Sequence, residues 1–205
     1  MEMTAGIALA AGAGWASGIN IYAVILTLGL LGSTGYMTLP PDLEILTNPL
    51  VIGAAGLMYC VEFFADKTPG VDTGWDGIHT FIRVPAGAII AAAALGEMHV
   101  AIQTAAFIIG GGLAASSHAT KTGTRVILNT SPEPLSNWTA SVAGDIIVLA
   151  GLWTALHYPV VFIVLLTVVV AFTIWLLPRL WQGIKQVLQS GKIAGKPEVK
   201  SVLTL

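Results

Sequence analysis

The chain has 205 residues, 55% of them hydrophobic and only 10% charged, with a mean hydropathy of +0.82 and a net charge of −2. That is too apolar for an ordinary soluble domain and places the chain in a lipid bilayer, in one bundle with no room for a second folded domain. Its few lysines and arginines are scattered or gathered near the C-terminal end, which excludes nucleic acid as a partner, because phosphate binding needs a basic face.

In chain order, the first apolar stretch runs from Thr4 to Leu31, with no basic segment before it and more length than the core of a cleaved signal, so it is expected to stay as a membrane helix. Gly14 and Gly18 give it a G-x-x-x-G face, the pattern of closely packed membrane helices. The same stretch, Ser17-Gly18-Ile19-Asn20, also reads as a point where the helix opens and turns backbone polar groups toward a cavity, with Asn20 and Tyr22 as ligand contacts. A second span covers Asn48 to Ala65 and holds the single cysteine, Cys60, which has no intrachain disulfide partner and is expected to be a small buried hydrophobe. The segment from Arg83 to Ser117 is overlong for one span. A break at Gly96-Glu97-Met98-His99 divides it into two helices, Asp72 to Leu95 and Val100 to Leu128, which carry their charges into the membrane.

Spans at Trp138 to Leu156 and His157 to Leu177 are antiparallel neighbours, joined by the tight turn His157-Tyr158-Pro159. Pro178 is expected to close the last of them, before an amphipathic stretch that lies on the anionic leaflet and a basic cytoplasmic tail over 191–205. The fold expected is an all-α polytopic transmembrane bundle over 1–190 with about six spans, or five, the six falling into two triplets that read as an inverted repeat. Lys67, Arg179, Lys185, Lys192, Lys196 and Lys200 fall on one side, whereas the opposite loops carry Asp42, Glu44, Glu97 and His99. The positive-inside rule then puts both termini in the cytoplasm. The six tryptophans lie mostly near span ends, as an interfacial belt.

Charge is concentrated in two stripes. Asp72, Asp76, His79 and Arg83 are spaced i, i+4, i+7 and i+11, so a helix places them on one face. Glu62 and Asp66 share a face of the preceding helix, beside Lys67 and across a Pro69-Gly70 turn. His118, Lys121 and Arg125 form a basic stripe, with Asn129 one turn further on. Unpaired charge in hydrocarbon costs several kcal/mol, so the two stripes are expected to meet inside the bundle, and Asp145 in the fifth span needs a partner too. Such pairs either lock helices together or line an ion or solute pathway. His79 and His118 titrate near neutrality and are candidate proton carriers with Asp66 or Asp76. Asp72, Asp76 and His79 are the candidate ligands for a hard divalent metal, whose presence the spacing leaves open, as it does any cofactor.

The run Glu62-Phe63-x-Ala65-Asp66-Lys67-x-Pro69-Gly70-x-Asp72, with Trp75-Asp76, His79-Thr80, Arg83 and Ala86-Gly87-Ala88, resembles a family of small bacterial membrane proteins described as a domain of unknown function, number four-one-two-six. Gly18-Ile19-Asn20-x-Tyr22, His118-x-x-Lys121 with Arg125, and Asn129 through Asn137 extend the resemblance to most of the chain except the tail. Where the family looks to carry a Glu-Asp pair in the fifth span, this chain has Gly144-Asp145, so a role needing two carboxylates there is not implied. The resemblance implies a multi-pass protein of the bacterial inner (plasma) membrane and no particular reaction.

Together these readings point to a small transporter or channel, with the lipid bilayer, a small ion or polar solute and further copies of itself as partners. A membrane-embedded metal-dependent enzyme and a non-catalytic scaffold or assembly protein stand as the alternatives.

Overall fold

The computed structural model describes residues 2–68, 70–129 and 134–194; the side chains of 134, 135, 137 and 186–194 lie outside that description. The described residues are helical throughout: α1 (Met3–Ser33), a short 3₁₀ helix (Pro41–Thr47), α2 (Pro49–Ala65), α3 (Val71–Ala93), α4 (Val100–Leu128), α5 (Pro134–His157) and α6 (Pro159–Ala194). The boundaries have local causes. Asn48 caps α2, its side chain accepting from the Leu50 N–H, and Pro49 follows at the first helical position, where it has no donor to lose. At the break between α3 and α4, His99 Nδ1 accepts from the Ala101 N–H, while the Gln103 amide donates to the Gly96 and Met98 carbonyls at 2.8 and 2.9 Å. The corner expected at Gly96 to His99 is therefore present and held by side chains.

α1 does not cross the bundle as one rod. Asn20 departs from helical geometry (φ −154°, ψ 96°) and its Oδ1 accepts from the Ala23 N–H at 2.9 Å, which starts a second helical arm as an N-cap would. The first arm, residues 3–19, runs antiparallel to α5, with Gly12 beside Ala155, Trp15 beside Gly151 and Ile19 beside Gly144. The second arm, 21–33, runs antiparallel to α2, with Leu26 beside Gly56 and Gly29 beside Ile52. Gly6 packs on Leu95 and Met98 and lines one crevice with Leu39 and Pro40, while Gly32 packs on Leu39 as well. A straight helix would separate residues 6 and 32 by about 39 Å at 1.5 Å per residue, so the chain reverses at Asn20. α1 is a re-entrant hairpin, and it packs against every other element.

This corrects one expectation. The Met3 end of α1 lies with the 3₁₀ helix, the α3–α4 corner and Tyr158 at one end of the bundle, where Asp42 covers Gly96 and Tyr36 meets His157. Lys67, Arg125 and Lys185 lie at the other end, where Gly183 of α6 packs on Ile127 of α4. The Met3 end of α1 and the Lys185 stretch of α6 therefore do not share an end of the bundle, because a hairpin returns the chain to the face it entered. With Cys60→Ser as background, a membrane-impermeant maleimide applied to intact cells is expected to label only one of the variants Met3→Cys and Lys185→Cys, and to label the other only after lysis. Labelling of both from the same side would refute the reversal.

Among the described residues, α1, α4, α5 and α6 are long and apolar enough to cross a membrane, and a fifth span is reached if the 3₁₀ helix and α2, bent by 69°, count together. Length and composition alone admit α1 despite its reversal. α3 falls outside them because of its charges, yet it is built inside out. Asp72, Asp76, His79 and Arg83 are buried, while Phe81 is 83% exposed and Ile78, Ile82 and Ile89 also face outward. Water would reverse that pattern, whereas a hydrocarbon surround favours it.

Small residues bring the hairpin, α3 and α4 into backbone contact. A Cβ on Gly14 would lie 2.8 Å from Gly110 Cα, and one on Gly110 would lie 2.2 Å from the Ala91 methyl. A Cβ on Gly87 would lie 2.7 Å from the Ala114 methyl. The G-x-x-x-G reading of α1 as a packing face therefore holds. α1 packs along α2, but α4 scarcely touches α5, so the two triplets of helices are not packed alike.

Two further expectations are corrected. Pro178 does not close the last helix but lies within α6, which runs on to Ala194. Proline removes one backbone donor, and Arg179 supplies a donor nearby by binding the Trp175 carbonyl at 2.8 Å, with its guanidinium 3.5 Å above the Trp175 ring. Cys60 is exposed rather than buried, because α2 packs mainly on α1 and the 3₁₀ helix and leaves its other face bare. Of the tail, 195–205 lie outside the described residues, as do Pro69 and the side chain of Lys192.

Candidate functional site

The two charged stripes meet at the tip of the hairpin. Arg83 on α3, fully buried, donates from Nη2 to Glu62 Oε1 at 2.7 Å and from Nη1 to Asp76 Oδ1 at 2.9 Å. Lys121 on α4 reaches Asp66 Oδ2 at 2.9 Å and Glu62 Oε1 at 3.2 Å, with Asp76 at 3.8 Å. Arg125, one turn on, pairs with Asp66 Oδ2 at 2.9 Å and Asp72 Oδ2 at 3.5 Å and also donates to the Asp66 carbonyl. Asn129 closes the row with 3.0 Å bonds to both oxygens of Asp72, which further accepts from the Gly70 and Thr73 N–H groups. Gly70 itself takes φ +86°, a left-handed conformation that glycine adopts freely, and so turns α2 into α3.

Four carboxylates thus face three cations, and Glu62 Oε2, Asp66 Oδ1 and Asp76 Oδ2 are buried with no hydrogen-bond partner among the described residues. Burying each ion costs several kcal/mol, which close-packed apolar residues would not. The network is therefore expensive as plain helix glue.

The hairpin tip contributes backbone. Where the helix opens, the Trp15 carbonyl accepts from Ser117 Oγ at 2.7 Å and the Ile19 carbonyl from Lys121 Nζ at 3.0 Å; the Gly18 carbonyl lies 3.3 Å from His118 Nδ1. His118 Nδ1 thus sits between Arg83 Nη1 at 3.1 Å, which can only donate, and that carbonyl, which can only accept, while Nε2 lies 2.7 Å from Thr80 Oγ1. His79 donates from Nδ1 to the Trp75 carbonyl at 2.9 Å and meets the Tyr22 hydroxyl at 3.0 Å. The candidate metal ligands serve different partners: Asp72 holds Arg125 and Asn129, Asp76 holds Arg83, and His79 holds Tyr22. Among the described residues no three His, Cys, Asp or Glu side chains converge as a metal site would require.

Asp145 on α5 is bound differently. Its oxygens accept from Asn20 Nδ2 at 3.1 Å and the Tyr59 hydroxyl at 3.2 Å, and no lysine, arginine or histidine among the described residues lies within 4 Å of it. Lys67 is the closest candidate, but it is buried over the Phe63 ring, donates to the Phe63 carbonyl at 3.2 Å and reaches Ser141 Oγ at 3.5 Å. Burial pushes its ammonium below the ordinary lysine range.

Between α4 and α5, where the two helices part, lies a cavity of about 270 Å³. Asp66, Lys121, Arg125 and Asp145 line it together with the hydroxyls of Ser117 and Ser141, and Trp15, Ile147, Val169 and Phe172 give it an apolar wall.

The structure thus joins Asn20, Tyr22, Glu62, Asp66, Asp72, Asp76, His79, Arg83, His118, Lys121, Arg125, Asn129 and Asp145, with Lys67 at the margin, into one connected region. The Asn137 side chain lies outside the described residues. Tyr59, Thr80 and Ser141 escaped the reading of the sequence; Tyr59 sits one turn before Glu62 and Ser141 one turn before Asp145, a spacing that could have found both.

Residues 7–179 match the family described as a domain of unknown function, DUF4126. The chain belongs to this family. The match takes in most of the hairpin, the charge network and α6 as far as Arg179, and stops short of the tail. No curated protein and no solved structure matches the chain.

Proposed function

We propose that the protein is a transporter of small charged or polar solutes in a bacterial inner membrane, with five helices crossing around the re-entrant hairpin and the end bearing Lys67 and Lys185 in the cytoplasm. The observation that carries this reading is the open helix at Asn20. Its freed carbonyls and the Asn20 amide meet a buried charge network beside a cavity, which is how carriers build ion and solute sites near the bilayer midplane from broken helices. The carboxylate in excess of the three cations gives the network a place for a coupling proton.

The test is electrical. Proteoliposomes adsorbed on a solid-supported membrane are challenged with concentration jumps of amines, amino acids and carboxylates. The wild-type protein is expected to give a saturable transient current for at least one of these classes. Asp76→Asn is expected to abolish it while eluting as a folded protein, since loss of one negative charge leaves three carboxylates for three cations and keeps an acceptor for Arg83. Silence across the panel from folded wild-type protein, or an Asp76→Asn current equal to wild type, would return the network to a structural role.

A further inference from the structure

We infer that the cavity between α4 and α5 binds an organic cation, an ammonium carrying an apolar group, with Asp145 as its counterion. The inference rests on reading this cavity as the solute site and narrows the solute to one chemical class. The argument starts from the pairing of each charge that lines the space. Lys121 and Arg125 are both committed to Asp66, at 2.9 Å each, so they have little left for an anion. Among the described residues Asp145 is hydrogen-bonded by two neutral donors, the Asn20 amide and the Tyr59 hydroxyl, which fix its orientation. A carboxylate at this depth in an apolar helix needs a positive charge nearby. Lys67 is near enough for Asp145 to be its leading attractive charge, yet its ammonium is turned toward Ser141 and the Phe63 ring and makes no ion pair with Asp145, which leaves room for a guest cation to pair directly.

The rest of the wall selects for an apolar body. Trp15, Ile147, Val169 and Phe172 face the space, and Ile147 and Phe172 are half exposed at its rim, so a guest can enter from the hydrocarbon. An indole in the same wall as a carboxylate suits an ammonium carrying an apolar group, because a cation gains from an aromatic face as well as from a charge. The volume, about 270 Å³, lies at the small end of ligand pockets and fits one ring with a compact cationic head.

Equilibrium dialysis of labelled benzyltrimethylammonium against the purified full chain in detergent tests this. Saturable binding at one site per chain is expected, at least tenfold weaker in Asp145→Asn and retained in Asp145→Glu. Ala143→Phe, which fills the cavity and leaves every charge in place, is expected to lose binding too. Equal binding by Asp145→Asn or Ala143→Phe and wild type would mean partition into apolar surface and would overturn the inference, as would no saturable binding by folded wild type. Binding without any solute-driven current would defeat transport but not this site. Currents driven by anions or neutral solutes, with no binding of the cation, would do the reverse.

Discussion

Replacing Arg83 with methionine is expected to cost about 3–5 kcal/mol of stability, the range for removing one partner from a buried ion pair. The guanidinium is fully buried and is shared by Glu62 and Asp76, both of which are fully buried as well. Its removal leaves Asp76 facing only Lys121 at 3.8 Å, and a carboxylate in that position must shed its charge or draw in water. Reversible unfolding in mixed dodecyl maltoside and dodecyl sulfate micelles measures the loss. Arg83→Lys should recover little, because one ammonium cannot span two acceptors as the planar fork does. The triple variant Arg83→Met, Glu62→Gln, Asp76→Asn should recover more than half, since it removes the stranded charges along with the cation. A loss below about 1 kcal/mol for Arg83→Met would place the network in the range of a solvated surface pair instead.

The second large effect is steric. A Cβ on Gly18 would lie 2.1 Å from the Ala114 carbonyl oxygen and 2.1 Å from Ser117 Oγ. The carbonyl belongs to the α4 backbone and cannot swing aside, so Gly18→Ala is expected to cost about 1–3 kcal/mol and Gly18→Leu more, by lifting the hairpin tip off α4. Gly112, on the same helix α4, has nothing within 4 Å of its Cβ position. Gly112→Ala is therefore expected to be neutral or to gain up to about 1 kcal/mol from helix propensity. If Gly18→Ala and Gly112→Ala unfold alike, the close approach at the tip is not what holds the hairpin.

The charge network was legible because helical spacing in a charge-poor chain leaves few alternatives: Asp72, Asp76, His79 and Arg83 must share a face, and hydrocarbon forces that face inward. The corner at Gly96 to His99 was legible from length. The reversal of α1 was not, although the opening at Asn20 was. Composition does not register one residue whose dihedral angles change the direction of everything after it, so a long apolar stretch reads alike as a span or as a hairpin. That one residue also decides the orientation of the Met3 end. Pro178 misled because proline forbids a hydrogen bond and not a helix. The contact of His118 with Arg83 is visible only once the two helices are packed. The cavity has no motif at all, being a place where two helices fail to touch.

The hairpin also sets an order of assembly. Its first arm emerges from the ribosome before anything it packs on, and the Ser117 hydroxyl that receives the Trp15 carbonyl follows 102 positions later. Until α4 is made, the opened carbonyls at Gly18 and Ile19 have no donors, and a polar tip cannot rest unaccompanied in lipid tails. An arm translated before its partners is thus among the last to be seated.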